Sequence, residues 1–172
     1  FSGKVRNIKI ASGYATAIFY GDFVKLVNTG TVEKDTGTAT MTPVGIFMGC
    51  FYTDPGTNQP TFNQTYPAST AADDIMAYVL DDPDCVFRMQ SDEALAQTTL
   101  GNNVGVVQTA GSTSIGRSKN AVDGSTAATT NTLPLRILEF VDGPDSEVGD
   151  AFTDVLLTYN AGMHLYRNAT GV

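Results

Sequence analysis

The chain has 172 residues, enough for one domain with a substantial core, and that single domain over 1–172 is the expectation. Only 16% of the residues are charged and the net charge is −8. This excludes a nucleic-acid surface built on clustered Lys and Arg and disfavours an anionic membrane. No run approaches the roughly 18 apolar residues of a membrane-spanning helix.

Thr, Gly, Ala and Asn take the place of charged residues. Small and β-branched side chains suit strands and tight turns better than helices. The chain starts FSGKV, with neither an initiator methionine nor a signal-peptide pattern, and is expected to be trimmed.

KVRNIKI, Lys4–Ile10, reads as a first strand or a terminal arm over residues 1–10. A turn at ASGY leads into TAIFYGDFVKLV, two apolar pieces around Gly21-Asp22. In VGIFMGCFYT, period-two alternation puts Val44, Ile46, Met48, Cys50 and Tyr52 on one face. Gly45 and Gly49 fall on the other, where a neighbouring layer can approach closely. DPGTNQP is a turn, and TFNQTY, with Phe62, Gln64 and Tyr66 on one face, completes a hairpin over 44–66.

IMAYVL and CVFRMQ flank Asp81-Asp82-Pro83-Asp84 and read as two strands joined by a turn. SDEALAQTTLG is the best helix, with Ser91 as its cap, Asp92 and Glu93 at its positive end and Gly101 as its stop. VGVVQT reads as a strand. Gly111 to Asn131 is polar and nearly low-complexity, and LPLRILEFV, AFTDVLLTY and HLY close the chain. The expected fold is mainly β, a compact barrel or sandwich of short antiparallel strands with one or two short helices.

Three stretches resemble chemical motifs. GSTSIGRS, residues 111–118, has the glycine spacing of a phosphate loop, with Arg117 for the lysine and Ser118 for the metal-ligating hydroxyl. Such a loop needs a helix after it to hold the phosphates. The following KNAVDGSTAATTNTLP has no apolar stripe at helical spacing, so a polar loop is expected. DTGTA, Asp35–Ala39, resembles the turn of aspartic proteases, but Glu33 and Lys34 precede it where apolar residues belong. A hydrophilic hairpin turn is expected.

The acids Asp81, Asp82 and Asp84, with Asp92 and Glu93, have part of the spacing of a calcium loop. Val86 and Phe87 stand where an oxygen ligand and glycine are needed, so solvated turn carboxylates are expected. A surface Ca²⁺ at the Asp81–Asp84 turn is left open.

His164 is the only histidine, which nearly removes zinc hydrolysis and His-dependent triads. It reads as packing or interface. Phe19, Tyr20, Phe23, Phe47, Phe51, Phe62 and Phe87 are spaced as core strand residues, with a carbohydrate or ligand groove as the other reading. Cys50 and Cys85 read as free thiols. No catalytic residue, metal ligand or cofactor-binding residue is assigned, and no cofactor is implied. A carboxylate-based hydrolase using Asp35 or the Asp81–Asp84 cluster remains as an alternative.

The stretches IKIASGYATAIFYGDFVKLV, PVGIFMGCFYTDP, YPASTAADDIMAYVLDDPDCVFRMQ, GSTSIGRS and VGDAFTDVLLTYN resemble virion structural proteins of tailed bacteriophages, in the style of capsid decoration (cement) proteins. The resemblance implies a non-enzymatic protein on the outer surface of the mature icosahedral head that clamps adjacent capsid subunits. It implies the major capsid protein as partner and the virion as location, after assembly in the host cytoplasm. A symmetric homo-oligomer is expected, with a trimer favoured over a dimer, and neither nucleic acid nor membrane as partner. The candidate interface comprises Phe1, Val5, Ile8, Ile10, His164 and Tyr166. A receptor-binding or carbohydrate-binding β module is the alternative.

Overall fold

The computed structural model describes residues 4–172. Its strands are β1 (Val5–Lys9), β2 (Phe23–Leu26), β3 (Val32–Lys34), β4 (Gly45–Thr53), β5 (Pro60–Asn63), β6 (Met76–Leu80), β7 (Phe87–Gln90), β8 (Asn103–Val107), β9 (Ala121–Ala128), β10 (Leu135–Phe140) and β11 (Asp154–Tyr159). Single 3-10 turns occur at Gln97–Thr99 and Leu165–Arg167. The fold is mainly β, as the composition requires.

Two antiparallel sheets result. The first runs β1-β6-β4-β2-β3, with β5 also paired to β4; the second runs β7-β11-β10-β8-β9. The second sheet curls until its ends meet. Ser91, just past β7, bridges to Val122 of β9, and the Asp92 N–H donates to the Val122 carbonyl at 3.0 Å.

One core lies between the sheets. Phe23, Ile46 and Leu80 of the first meet Val104, Val122, Leu135, Ile137, Val155 and Leu157 of the second. The other face of the first sheet carries a second core, in which Val24, Val32, Phe47, Ala77 and Val79 pack with Ile10, Ile18, Tyr66 and Ile75 from flanking segments. The centre of the first sheet is thus apolar on both faces, and its central strands β4 and β6 read as near-continuous apolar runs.

The 44–66 hairpin forms, with Cys50 opposite Asn63 and Thr53 opposite Pro60. Its single apolar face does not. The register of β4 against β6 slips between Phe47 and Cys50, where Gly49 adopts φ +119°. A bulge of this kind shifts the alternation phase. Ile46 and Met48 therefore serve the core between the sheets, and Phe47, Cys50 and Tyr52 serve the second. After β5 the chain turns again, with Thr65 N–H donating to Asn63 Oδ1 at 3.0 Å, which separates exposed Phe62 from buried Tyr66.

The terminal-arm reading is corrected from Val5 onward. β1 pairs with β6 in its own chain, from Val5 opposite Leu80 to Lys9 opposite Met76, and Ile10 N–H continues to the Ile75 carbonyl at 3.0 Å. Ile10 is fully buried, so its burial ties down an edge strand that otherwise carries charge.

β6 and β7 do not pair with each other. Both edges of β6 are taken by β1 and β4, so the Asp81–Asp84 turn carries the chain from one sheet to the other.

The 91–101 helix also fails. Ser91 and Asp92 are drawn into closing the second sheet, and Leu95 is the one buried apolar side chain of the segment, its N–H donating to Thr153 Oγ1 at 3.2 Å. A two-turn helix with one anchor has too little to offset its nucleation cost. Conversely, the polar 111–131 stretch contains β9, whose Val122 is buried and whose Thr126 hydroxyl accepts the Gly105 N–H at 2.7 Å.

Candidate functional site

GSTSIGRS is a tight loop against the first sheet. Ser112 N–H donates to the Arg117 carbonyl at 2.9 Å and Gly116 N–H to the Ser112 carbonyl at 2.8 Å. Gly116 needs its left-handed φ of +68°, and Gly111 lies so close to the Phe19 ring that a Cβ would overlap it. Ser118 donates its hydroxyl to Asp22 at 2.6 Å, and the strand β9, not a helix, follows. The phosphate-loop geometry is not formed.

Asp35 departs from the solvated turn that was expected. It is 4% exposed, its Oδ1 accepts the Gly37 N–H at 3.0 Å, and Gln108 Nε2 caps the Asp35 and Gly37 carbonyls at 3.1 and 2.9 Å. Burial pushes the carboxyl above its usual range, opposed by the Gly37 N–H and the charge of Lys25. The charge acting on it is thus a lysine, where a shared-proton dyad needs a second carboxylate.

The Asp81–Asp84 turn is structural. Asp81, fully buried at its side chain, accepts from Arg6 Nε at 2.9 Å and from the Tyr166 hydroxyl at 3.1 Å. The Arg6 guanidinium lies over the Tyr166 ring, 5.3 Å from its centroid. Asp84 accepts from Arg167 at 2.6 Å, and Asp82 Oδ1 accepts the Asp84 N–H at 2.9 Å. Asp81, expected in solvent, is instead buried and ties β1 and the C-terminal turn to the crossover, whereas Asp84 stays exposed as expected while pairing with Arg167. Glu93 joins Asp92 and Asp123, not Asp82 and Asp84, so the calcium-loop spacing does not assemble.

Among the candidate interface residues, Ile10 and His164 are buried packing groups, Val5 and Tyr166 are exposed, and Ile8 is half-buried against the second core. Phe1 lies outside the described residues. The cysteines are free, with Cys50 buried and Cys85 half-buried. Burial pushes their thiols up to about 12 and about 11, respectively, which leaves them inert at neutral pH.

His164 stacks edge-on between Tyr159 and Tyr166, with centroids at 4.7 and 5.3 Å, and its Nδ1 accepts the Tyr166 N–H at 3.2 Å. Burial lowers its pKa, against the opposing pull of the Val44 carbonyl and Asp81. Its folded-state value therefore lies below its unfolded one. The stability it contributes is complete above about pH 6.5 and is lost as pH falls through the folded value. Urea midpoints measured from neutral pH down to about pH 5 should fall, and His164→Gln should flatten that part of the curve. An unchanged slope in the variant would assign the acid loss to the carboxylates.

Two surface features remain. The first is an aromatic ridge on the first sheet. Phe62, 73% exposed, lies 6.0 Å from Phe51, which lies 5.5 Å from Tyr78. A shallow hollow of about 260 Å³ beside it is lined by Tyr20, Met48, Asn63 and Gln64. The spacing of Phe62 reads as core, but the bulge at Gly49 and the turn after Asn63 leave it outside.

The second feature is a cleft of about 390 Å³ at the seam of the curled second sheet. Its floor is Phe23, Ile46, Met48 and Leu80; one wall is β7 and the other is Arg117, Ser118 and Asn120. Asp22 positions the second wall, accepting from Ser118 at 2.6 Å and from Asn120 Nδ2 at 3.4 Å. Sequence reasoning missed the cleft because its walls are 27 or more positions apart and meet only through the curl of the sheet.

No protein-family model matches the chain, nor does any curated protein or solved structure.

Proposed function

We propose that the chain is a capsid decoration protein of a tailed bacteriophage, binding the outer surface of the mature head and clamping adjacent copies of the major capsid protein. The observation that carries this reading is the Phe62–Phe51–Tyr78 ridge. An exposed aromatic ring, Phe62, backed by the half-buried rings of Phe51 and Tyr78 on a rigid sheet, offers a docking surface with little conformational entropy to lose. The sequence resemblance supplies the partner. Stabilisation then follows from mass action: a clip that binds only the mature lattice favours it by RT ln(1 + [L]/Kd) per site, and symmetric oligomers multiply the effect.

Co-sedimentation with mature and immature heads of the encoding phage tests the proposal. Occupancy is expected on mature heads, with modest salt dependence because the contact is apolar. Phe62→Ser should lower affinity by about tenfold or more without changing thermal stability, because Phe62 buries little in the free chain. The same ridge and its adjacent hollow also favour a carbohydrate-binding or receptor-binding module, since exposed aromatic faces stack on sugars. Binding to host-cell glycans with no binding to heads would select that reading.

A further inference from the structure

We infer that the cleft at the seam of the second sheet is a strand-addition site for an extended, acidic polypeptide segment of a partner. The inference stands apart from the capsid reading, because it rests on the backbone of β7 and on Arg117.

Antiparallel ladders alternate between residues that exchange both backbone bonds with a partner and residues that turn theirs away. Ser91 N–H donates to the Thr153 carbonyl at 2.8 Å, and the register places Met89 opposite Val155 and Phe87 opposite Leu157. These three residues use their backbone on the β11 side. Arg88 and Gln90 therefore turn their N–H and C=O groups to the opposite side. Asp92 turns to that same side and finds Val122 at 3.0 Å. The seam is closed at the Asp92 N–H and the Gln90 carbonyl and open from the Gln90 N–H to Arg88, where the cleft lies. The parallel bridge of Ser91 to Val122 also engages the Gln90 carbonyl, which leaves the Gln90 N–H and the N–H and C=O of Arg88 to form the open stretch of edge.

An open edge flanked by an apolar floor selects an extended chain with apolar residues at alternate positions. The rim selects its charge. Arg88 is paired with Asp154, so its charge is met within the chain. Arg117 is exposed, lines the cleft and has no hydrogen bond or ion pair from its guanidinium among the described residues. A carboxylate on the incoming segment supplies the missing partner. β1 is also an edge and carries Arg6 and Lys9.

The test uses an acetylated, amidated heptapeptide of alternating valine and glutamate, read by residue-resolved amide exchange on the whole chain. In the free protein, the Arg88 and Gln90 amides should exchange fast, and those of Phe87 and Met89 slowly. Excess peptide should slow Arg88 and Gln90 by about tenfold or more. Arg117→Glu should weaken binding by about tenfold. Gln90→Pro should abolish it while the fold survives, because the N–H removed makes no ladder bond. Protection of Arg88 and Gln90 already present in the free protein, protection appearing at Val5–Lys9 instead, or undiminished binding to Gln90→Pro would each overturn the proposal. So would the absence of any exchange change with the peptide.

Discussion

Gly45→Ala should destabilise the protein by about 3–5 kcal/mol, among the largest effects of any single methyl addition to this fold. Gly45 starts β4 at the centre of the first sheet, between β2 and β6. A Cβ there would overlap the Leu80 carbonyl oxygen and stand 2.8 Å from both its carbon and Val79 Cγ1. Those atoms belong to β6, which β1 holds from its other side, so they have nowhere to retreat. The position is not special in its backbone angle, and the cost is one of space alone. Gly13→Ala is the natural control: its φ is +72° and open space surrounds it, so only backbone strain, about 1 kcal/mol, should register. Urea denaturation of both variants separates the two causes. Equal losses would mean that β6 does not sit as close to β4 as described.

Gly45 shows what kind of structure is legible before folding. A glycine inside an apolar alternating run signals close approach, expected from a neighbouring layer; what approaches is instead the Leu80 backbone of β6, the next strand of the same sheet. Runs with strong local signals became strands: the 44–66 hairpin, 103–107, 135–140 and 154–159 all lie where alternation and turn residues put them. The errors arose where a long-range partner overruled a local preference. Ser91-Asp92-Glu93 is a good helix start on its own, but the Val122 and Thr153 carbonyls claim the Ser91 and Asp92 amides. Asp81 to Asp84 suits a hairpin turn, but β6 has no free edge to offer. β9 hides in Thr, Ser and Ala because a single buried valine anchors it. The candidate site was the least legible part. The ridge depends on a bulge, and the cleft on a curl, neither of which leaves a periodic mark in the sequence.

The 111–120 segment that walls the cleft has few apolar anchors of its own, and Asp22 holds it. Asp22 is fully buried in the Gly21-Asp22 turn. One carboxylate oxygen accepts the Phe19 N–H at 3.0 Å and the Lys34 ammonium at 3.0 Å; the other accepts from Ser118 and Asn120. The Lys34 side chain is only 10% exposed, so its charge has little water to turn to. Asp22→Ala should therefore cost about 3–5 kcal/mol, chiefly through a buried ammonium left unpaired. Lys34→Met should cost less, and the Asp22→Ala, Lys34→Met double variant should recover part of the loss, since no charge is then stranded. The recovery should be confined to global stability. Ser118 and Asn120 remain without their acceptor in the double variant, so amide exchange across 117–120 should stay fast even where the urea midpoint returns. Slow exchange there in the double variant would mean that the pairing of Ser118 with Tyr20, not Asp22, fixes the wall of the cleft.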